Sequence, residues 1–201
     1  MGFEKLLRQL INEEKARKNY SLLESPQGLL VERDKRAKYQ RIIDTLEGSE
    51  ADVETVSMMS GQNPMVRKVS PAENAERKAA LEKSLKRRGL RFIRIGAHFG
   101  GLPEKSVLVL NPTMLEMDEL CREYDQWGFV WGQKYMIRPG EHIMGFGMYA
   151  IDHDREIGWQ RDPGSKETAI LMKASELEGA EDDYSLDPTS GKRFGLSFYD
   201  E

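Results

Sequence analysis

A chain of 201 residues with a net charge of -4 has room for one main domain with attachments, and its 39 % hydrophobic residues suffice for a core. That composition excludes a disordered chain, and no apolar run approaches the roughly 20 residues that a membrane span needs. One cysteine, Cys121, excludes an internal disulfide and suits a reducing cytoplasm.

The charge is uneven. Residues 1–50 carry 10 basic and 9 acidic side chains, residues 51–140 carry 14 and 11, and residues 141–201 carry 6 and 14. An acidic final third repels phosphates, which argues against wide nucleic-acid wrapping. The N-terminus mixes charged and apolar residues and lacks the apolar region of a signal peptide. Gly2 is not read as a myristoylation site, because position 6 is Leu rather than Ser or Thr.

The first element is a helix. Phe3, Leu6, Leu7, Leu10 and Ile11 recur at helical spacing. After a Ser25–Gly28 break, a second helix is predicted from about Glu32 to Leu46, with Tyr39, Ile42, Ile43 and Leu46 on one face. These helices either cover the main domain or form an arm for a partner.

From Asp52 the pattern reads strand, helix, strand, strand, helix, strand. Asp52–Met59 is β-prone. Ser70-Pro71-Ala72-Glu73 is a helix start with Pro at its first position and a capping box, and Gly89 ends that helix. Arg91–Ala97 alternates and Ser106–Leu110 is a short apolar run. Thr113 and Glu116 form a second capping box, and Met117, Leu120, Cys121 and Tyr124 share one face. Phe129–Trp131 closes the set. The order predicts an α+β core of ferredoxin-like, split βαβ type: an antiparallel sheet with two packed helices. Beyond it, strands are expected around Tyr135–Ile137, Ile143–Ile151 and Thr168–Met172, with Glu178–Asp187 an acidic loop. Arg193–Tyr199 is too apolar for a free tail and is expected to dock. The domain boundaries read from this are an N-terminal helical arm (1–50), the ferredoxin-like core (51–133) and an acidic β-rich extension (134–201).

The candidate site residues lie in the core. Asn74 shares the inward face of Leu81 and Leu85 to within roughly 20°, so its amide needs partners. It either bonds a nearby loop backbone, such as that of Asn63-Pro64, or binds a ligand. Glu104 stands at the entrance of the short apolar strand, where a carboxylate can be solvated, bind an amine or act as a base. Gln126 precedes the last core strand. Gly96–Gly101 reads as a flexible loop without the spacing of a dinucleotide site. His153 between Asp152 and Asp154 reads as an exposed turn ahead of a metal site. Lys83, Lys86, Arg87, Arg88, Arg91 and Arg94 read as a solvated face ahead of a phosphate patch.

Asn63-Pro64, Ser70-Pro71-Ala72-Glu73-Asn74, Glu104-Lys105-Ser106-Val107-Leu108-Val109 and Tyr124-Asp125-Gln126 together resemble the domain of unknown function 3293 family of small bacterial and phage proteins. The same layout is similar to the phage S-adenosylmethionine lyases. These are trimeric ferredoxin-like enzymes that convert S-adenosylmethionine to methylthioadenosine and homoserine lactone. In them a Glu before the third core strand holds the substrate amino group, helped by a Tyr in the preceding loop. Glu104 matches the Glu, whereas the loop here offers His98 and Phe99. Such a lyase acts mainly by positioning and desolvation, so a missing acid–base pair does not count against it.

These readings give three expectations of function. The first is a phage-type accessory protein whose core binds a small ligand or a host protein. The second is an S-adenosylmethionine-degrading lyase, and the third is a virion-associated interaction protein. Glu104 is the candidate catalytic residue, and Asn63, Asn74, His98, Ser106 and Gln126 are the candidate ligand-binding residues. Asn74, Glu104 and Gln126 are expected to converge on one cleft. No cofactor, metal or membrane partner is expected, nucleic acid is disfavoured, and a homo-oligomer stays open. The expected location is the cytoplasm, that of the host or the virion for a phage protein.

Overall fold

The computed structural model describes residues 37–99, 102–162, 170–173 and 184–197. The expected first helix and most of the acidic loop lie outside them. The chain divides into two compact units, Met1–Gln40 and Arg41–Glu201, and every described strand belongs to the second.

Helix α1 covers residues 37–46 and buries Ile42, Ile43 and Leu46, as its spacing predicts. Strand β1 runs Thr55–Ser60, and a short 3-10 turn comes next at Pro64–Val66. Helix α2 is Pro71–Arg87, β2 is Arg91–Phe99 and β3 is Leu102–Leu110. Helix α3 is Met114–Glu123, β4 is Gly128–Arg138 and β5 is Glu141–Ile151. Among the described residues four short strands follow: β6 (Trp159–Arg161), β7 (Ile170–Lys173), β8 (Tyr184–Leu186) and β9 (Arg193–Ser197).

The helix starts obey capping chemistry. Ser70 Oγ accepts from the Glu73 N–H at 3.1 Å, with Pro71 at the first helical position. The reciprocal box closes only at α3, where Thr113 Oγ1 accepts from Glu116 N–H and the Glu116 carboxylate accepts from Thr113 N–H. At α2 only the Ser70 half forms among the described residues.

All described strands join one antiparallel sheet in the order β6-β5-β4-β1-β3-β2-β8-β9-β7. The fold class is therefore α+β. The residues after 133 extend the core sheet at both edges, through β5 and β6 on one side and β8, β9 and β7 on the other. Several sequence boundaries change, and β8 forms within the expected acidic loop Glu178–Asp187. Tyr135–Ile137 is the end of β4 rather than a separate strand. The expected Gly96–Gly101 loop is mostly strand, with only residues 100 and 101 between β2 and β3. And β3 begins at Leu102, so Glu104 lies inside a strand, paired with Ala97.

Alternation sorts the sheet into two faces. Met59, Val107, Val109, Phe129, Trp131 and Ile151 meet Leu81 and Leu85 of α2 and Met117, Leu120 and Cys121 of α3 in one core cluster. Burial pushes the Cys121 thiol far above its usual range, which makes it an inert packing group. Gly128 opens β4 where a Cβ would sit 2.1 Å from the Tyr149 carbonyl oxygen, so the two backbones meet closely only because no side chain intervenes. Val56, Leu108 and Phe146 are buried on the opposite face. That face is also where the cleft opens.

Candidate functional site

The register places Ser60 opposite Ser106 and Ser106 opposite Ile95, and Glu104 opposite Ala97. These side chains share the face turned away from α2 and α3. A cleft of about 170 Å³ opens there. Met58 and Val130 come from the middle of the sheet, Met148 from β5, and Tyr184 and Phe194 from β8 and β9. Strands β5 and β9 are six places apart in the sheet order, so one cleft can touch both only if the sheet is curled.

Glu104 is the carboxylate of this cleft. It accepts from Asn63 Nδ2 at 3.0 Å. Burial raises its pKa above the ordinary glutamate value, while hydrogen bonds from Asn63 and Ser60 pull the other way. Among the described residues no cation pairs with it.

The loop after β1 carries Asn63 to this position. Gln62 Nε2 donates to the Asn74 carbonyl at 3.0 Å, and Gln62 Oε1 accepts from the Lys105 N–H at 2.6 Å. Arg77 reaches Gly61 O at 2.8 Å and also donates to Tyr124 O. Gln126 is buried and donates from Nε2 to Gln62 O and Tyr124 O, each at 3.1 Å. The loop is thus tied to α2, to β3 and to the end of α3.

Five of the six expected residues line the cleft: Asn63, His98, Glu104, Ser106 and Gln126. Asn74 does not. It stands behind Asn63, bonded to that residue's backbone and side chain at 2.9 Å each. A polar side chain at a helix N-terminus is drawn to the nearest unsatisfied loop groups, and here these belong to Asn63. Convergence is therefore partial: Glu104 and Gln126 reach the cleft, and Asn74 reaches it only through Asn63.

Sequence reasoning missed Tyr184 and Phe194. Tyr184 stacks on His98 with centroids 5.4 Å apart and planes 4° apart, and the Arg193 guanidinium lies 4.2 Å from its centroid. Phe194 is fully buried. The apolar run near the C-terminus was the signal for Phe194, whereas Tyr184 falls within the segment read as an acidic loop. Trp127 also lines the cleft.

The other candidates resolve as structure. Arg88 pairs with Glu119 and Glu123, Arg91 with Asp52, and Arg94 with Glu82 at 2.6 Å. The Arg94 bond, joined by Lys78, draws the Glu82 carboxyl down to about 2. Much of the basic run is thereby neutralised, which removes charge a phosphate would need. His153 Nε2 meets the Gln126 carbonyl at 3.2 Å, and no metal-holding group of His, Cys, Asp or Glu occurs among the described residues. No described helix is long and apolar enough to cross a membrane.

Residues 59–128 match the family model described as a protein of unknown function, DUF3293. The match runs from the end of β1 to the start of β4 and includes Asn63, Asn74, Glu104 and Gln126. It bears out the resemblance drawn from those motifs. Strands β5 to β9 lie outside it. No curated protein matches the chain.

Proposed function

We propose that the cleft, whose polar floor is built by the segment matching DUF3293, binds a small organic molecule through a positively charged group held by Glu104. One observation carries this reading. A partly desolvated carboxylate, without a cationic partner among the described residues, sits in a mainly apolar cleft. Desolvation makes such a charge costly unless an opposite charge arrives. An amine or sulfonium would supply it, and the apolar walls would bury the rest of the molecule.

Size bounds the ligand. A cavity of roughly 150 Å³ holds one benzene ring, while ligand pockets commonly exceed about 300 Å³. The cleft of about 170 Å³ therefore takes a small amine or one end of a larger molecule. The core order β4-β1-β3-β2, with α2 and α3 as its crossovers, supports a ferredoxin-like reading of this scaffold.

A second reading, S-adenosylmethionine degradation, is favoured by Tyr184. The loop before β3 lacks the tyrosine of the similar lyases, but a tyrosine from β8 lines the same cleft, stacked on His98. The charged methionine end would face Glu104, and the larger adenosine end would have to extend beyond the cleft.

Thermal shift with a panel of small amines and with S-adenosylmethionine tests both readings, comparing wild type with Glu104→Gln. A true ligand at 100 times its Kd should stabilise the wild type by about 2.7 kcal/mol and leave the variant unmoved. Methylthioadenosine release by the wild type alone favours the lyase. If no cation stabilises the wild type, or the variant responds equally, the role of Glu104 in binding is lost.

A further inference from the structure

Hydrogen bonds behind the cleft form a chain whose direction is dictated from one end. The Asn63 backbone N–H can only donate, and it donates to the Asn74 side chain at 2.9 Å. That atom must therefore be the Asn74 oxygen, which leaves the Asn74 NH2 facing the Asn63 side chain. The Asn63 atom that meets it at 2.9 Å must then be its oxygen. The Asn63 NH2 is left to face Glu104 at 3.0 Å. An amide cannot normally tell which end faces a neighbour. Here a backbone donor at the start of the chain sets both amides in turn.

The same pair stands beside a strained turn. Asn63, Met65 and Val66 have φ of 45°, 51° and 59°. Left-handed backbone is tolerable for Asn and costly for a β-branched residue such as Val66. Several bonds hold the turn down, among them Met65 N–H to Asp125 O at 2.7 Å and Gln126 to Gln62 O. The Asn74 side chain contributes two more, both to Asn63. Such over-determination is what lets one side chain be aimed at a carboxylate with little freedom to turn away.

We propose that Asn74 is a positioning residue for Glu104, acting through Asn63 so that a hydrogen-bond donor always faces the carboxylate of the cleft. This deepens the reading of Glu104 as the binding carboxylate and rests on it for its functional meaning. The physical consequence is specific. A donor stabilises the ionised form, and only the ionised form attracts a cation. Burial works against ionisation, and hydrogen bonds from Asn63 and Ser60 oppose it, that from Asn63 the more strongly. A free Asn63 amide could turn its oxygen to Glu104 and favour the protonated acid.

Titration by NMR, with glutamate carboxyls and asparagine amides labelled, tests this without any ligand. In the wild type the Asn63 NH2 signals should titrate with the same midpoint as Glu104. Flat signals would overturn the proposal, and this arm needs no variant to fold. In Asn74→Ala the Glu104 midpoint should rise by about one unit. Asn63→Ala should raise it similarly, and the double variant should go no further than Asn63→Ala alone, because Asn74 acts through Asn63. An unchanged midpoint in folded Asn74→Ala, or additive shifts in the double variant, would overturn it. If the titration behaves as described while no cation stabilises the wild type, the relay stands and the binding reading falls.

Discussion

Burial and hydrogen bonding act on Glu104 in opposite directions, and burial prevails. The folded chain therefore holds the Glu104 proton to higher pH than the unfolded chain does. Its contribution to stability is full below the ordinary glutamate value and is lost as pH rises through the raised value. Glu104→Gln keeps the shape and removes the titration. Its melting temperature relative to wild type should rise as the pH goes from about 4 to about 7. Thermal unfolding of both proteins across that range checks this, and a difference constant with pH would mean that the carboxyl is not desolvated. Cation binding should take the reverse course and fade on acidification, at a higher pH than an ordinary glutamate would give. At this scale the sequence could nominate Glu104, Asn63 and Gln126 by residue type. It named the Asn63-Pro64 backbone as one partner for the Asn74 amide, the bond that forms, but could not choose it over a ligand, because that depends on a loop and a helix start meeting.

Local rules govern the elements, and capping shows how far they reach. Thr113 and Glu116 close the box that their spacing predicts, and α3 starts there. Thr113→Ala should cost about 1 kcal/mol in denaturant unfolding, with little change in the cleft. A loss near zero would mean that water replaces the cap. The start of β3 departs from the sequence reading for an equally local reason. Pro103 looks like a strand breaker, yet it lies within β3, opposite His98. Strand β1 pairs with β3 only as far as Ser60 opposite Ser106, so the first residues of β3 have β2 as their sole described strand neighbour. A proline is tolerated on such an open side because no ladder bond is lost. This moves Glu104 from a strand entrance into the wall of a cleft.

At the largest scale the second unit is organised by a sheet that its C-terminal strands extend. Phe194 is fully buried and lines the cleft, although it lies 90 residues after Glu104 in the sequence. Phe194→Ala should cost about 3–5 kcal/mol, as large core truncations do. Because β9 belongs to the same sheet as β1 and β3, the loss should appear as one shifted transition. A second, earlier transition would mean that the C-terminal strands melt as a separate unit. Within the cooperative picture the same substitution should weaken any ligand that Glu104 holds, since it removes a cleft wall.

The sequence by itself determined the helix starts at Ser70 and Thr113, the alternating core strands and the apolar face of α3. It also marked the C-terminal run as a docking segment. These depend on contacts within a few residues, where spacing and side-chain chemistry leave few choices. The tertiary structure alone decided that residues after 133 extend one sheet at both edges, and that Tyr184 and Phe194 meet Glu104 across a cleft. It also decided that Asn74 faces Asn63 instead of a ligand. Pairing of distant strands is set by which apolar faces can be buried together, and a local pattern does not carry that information.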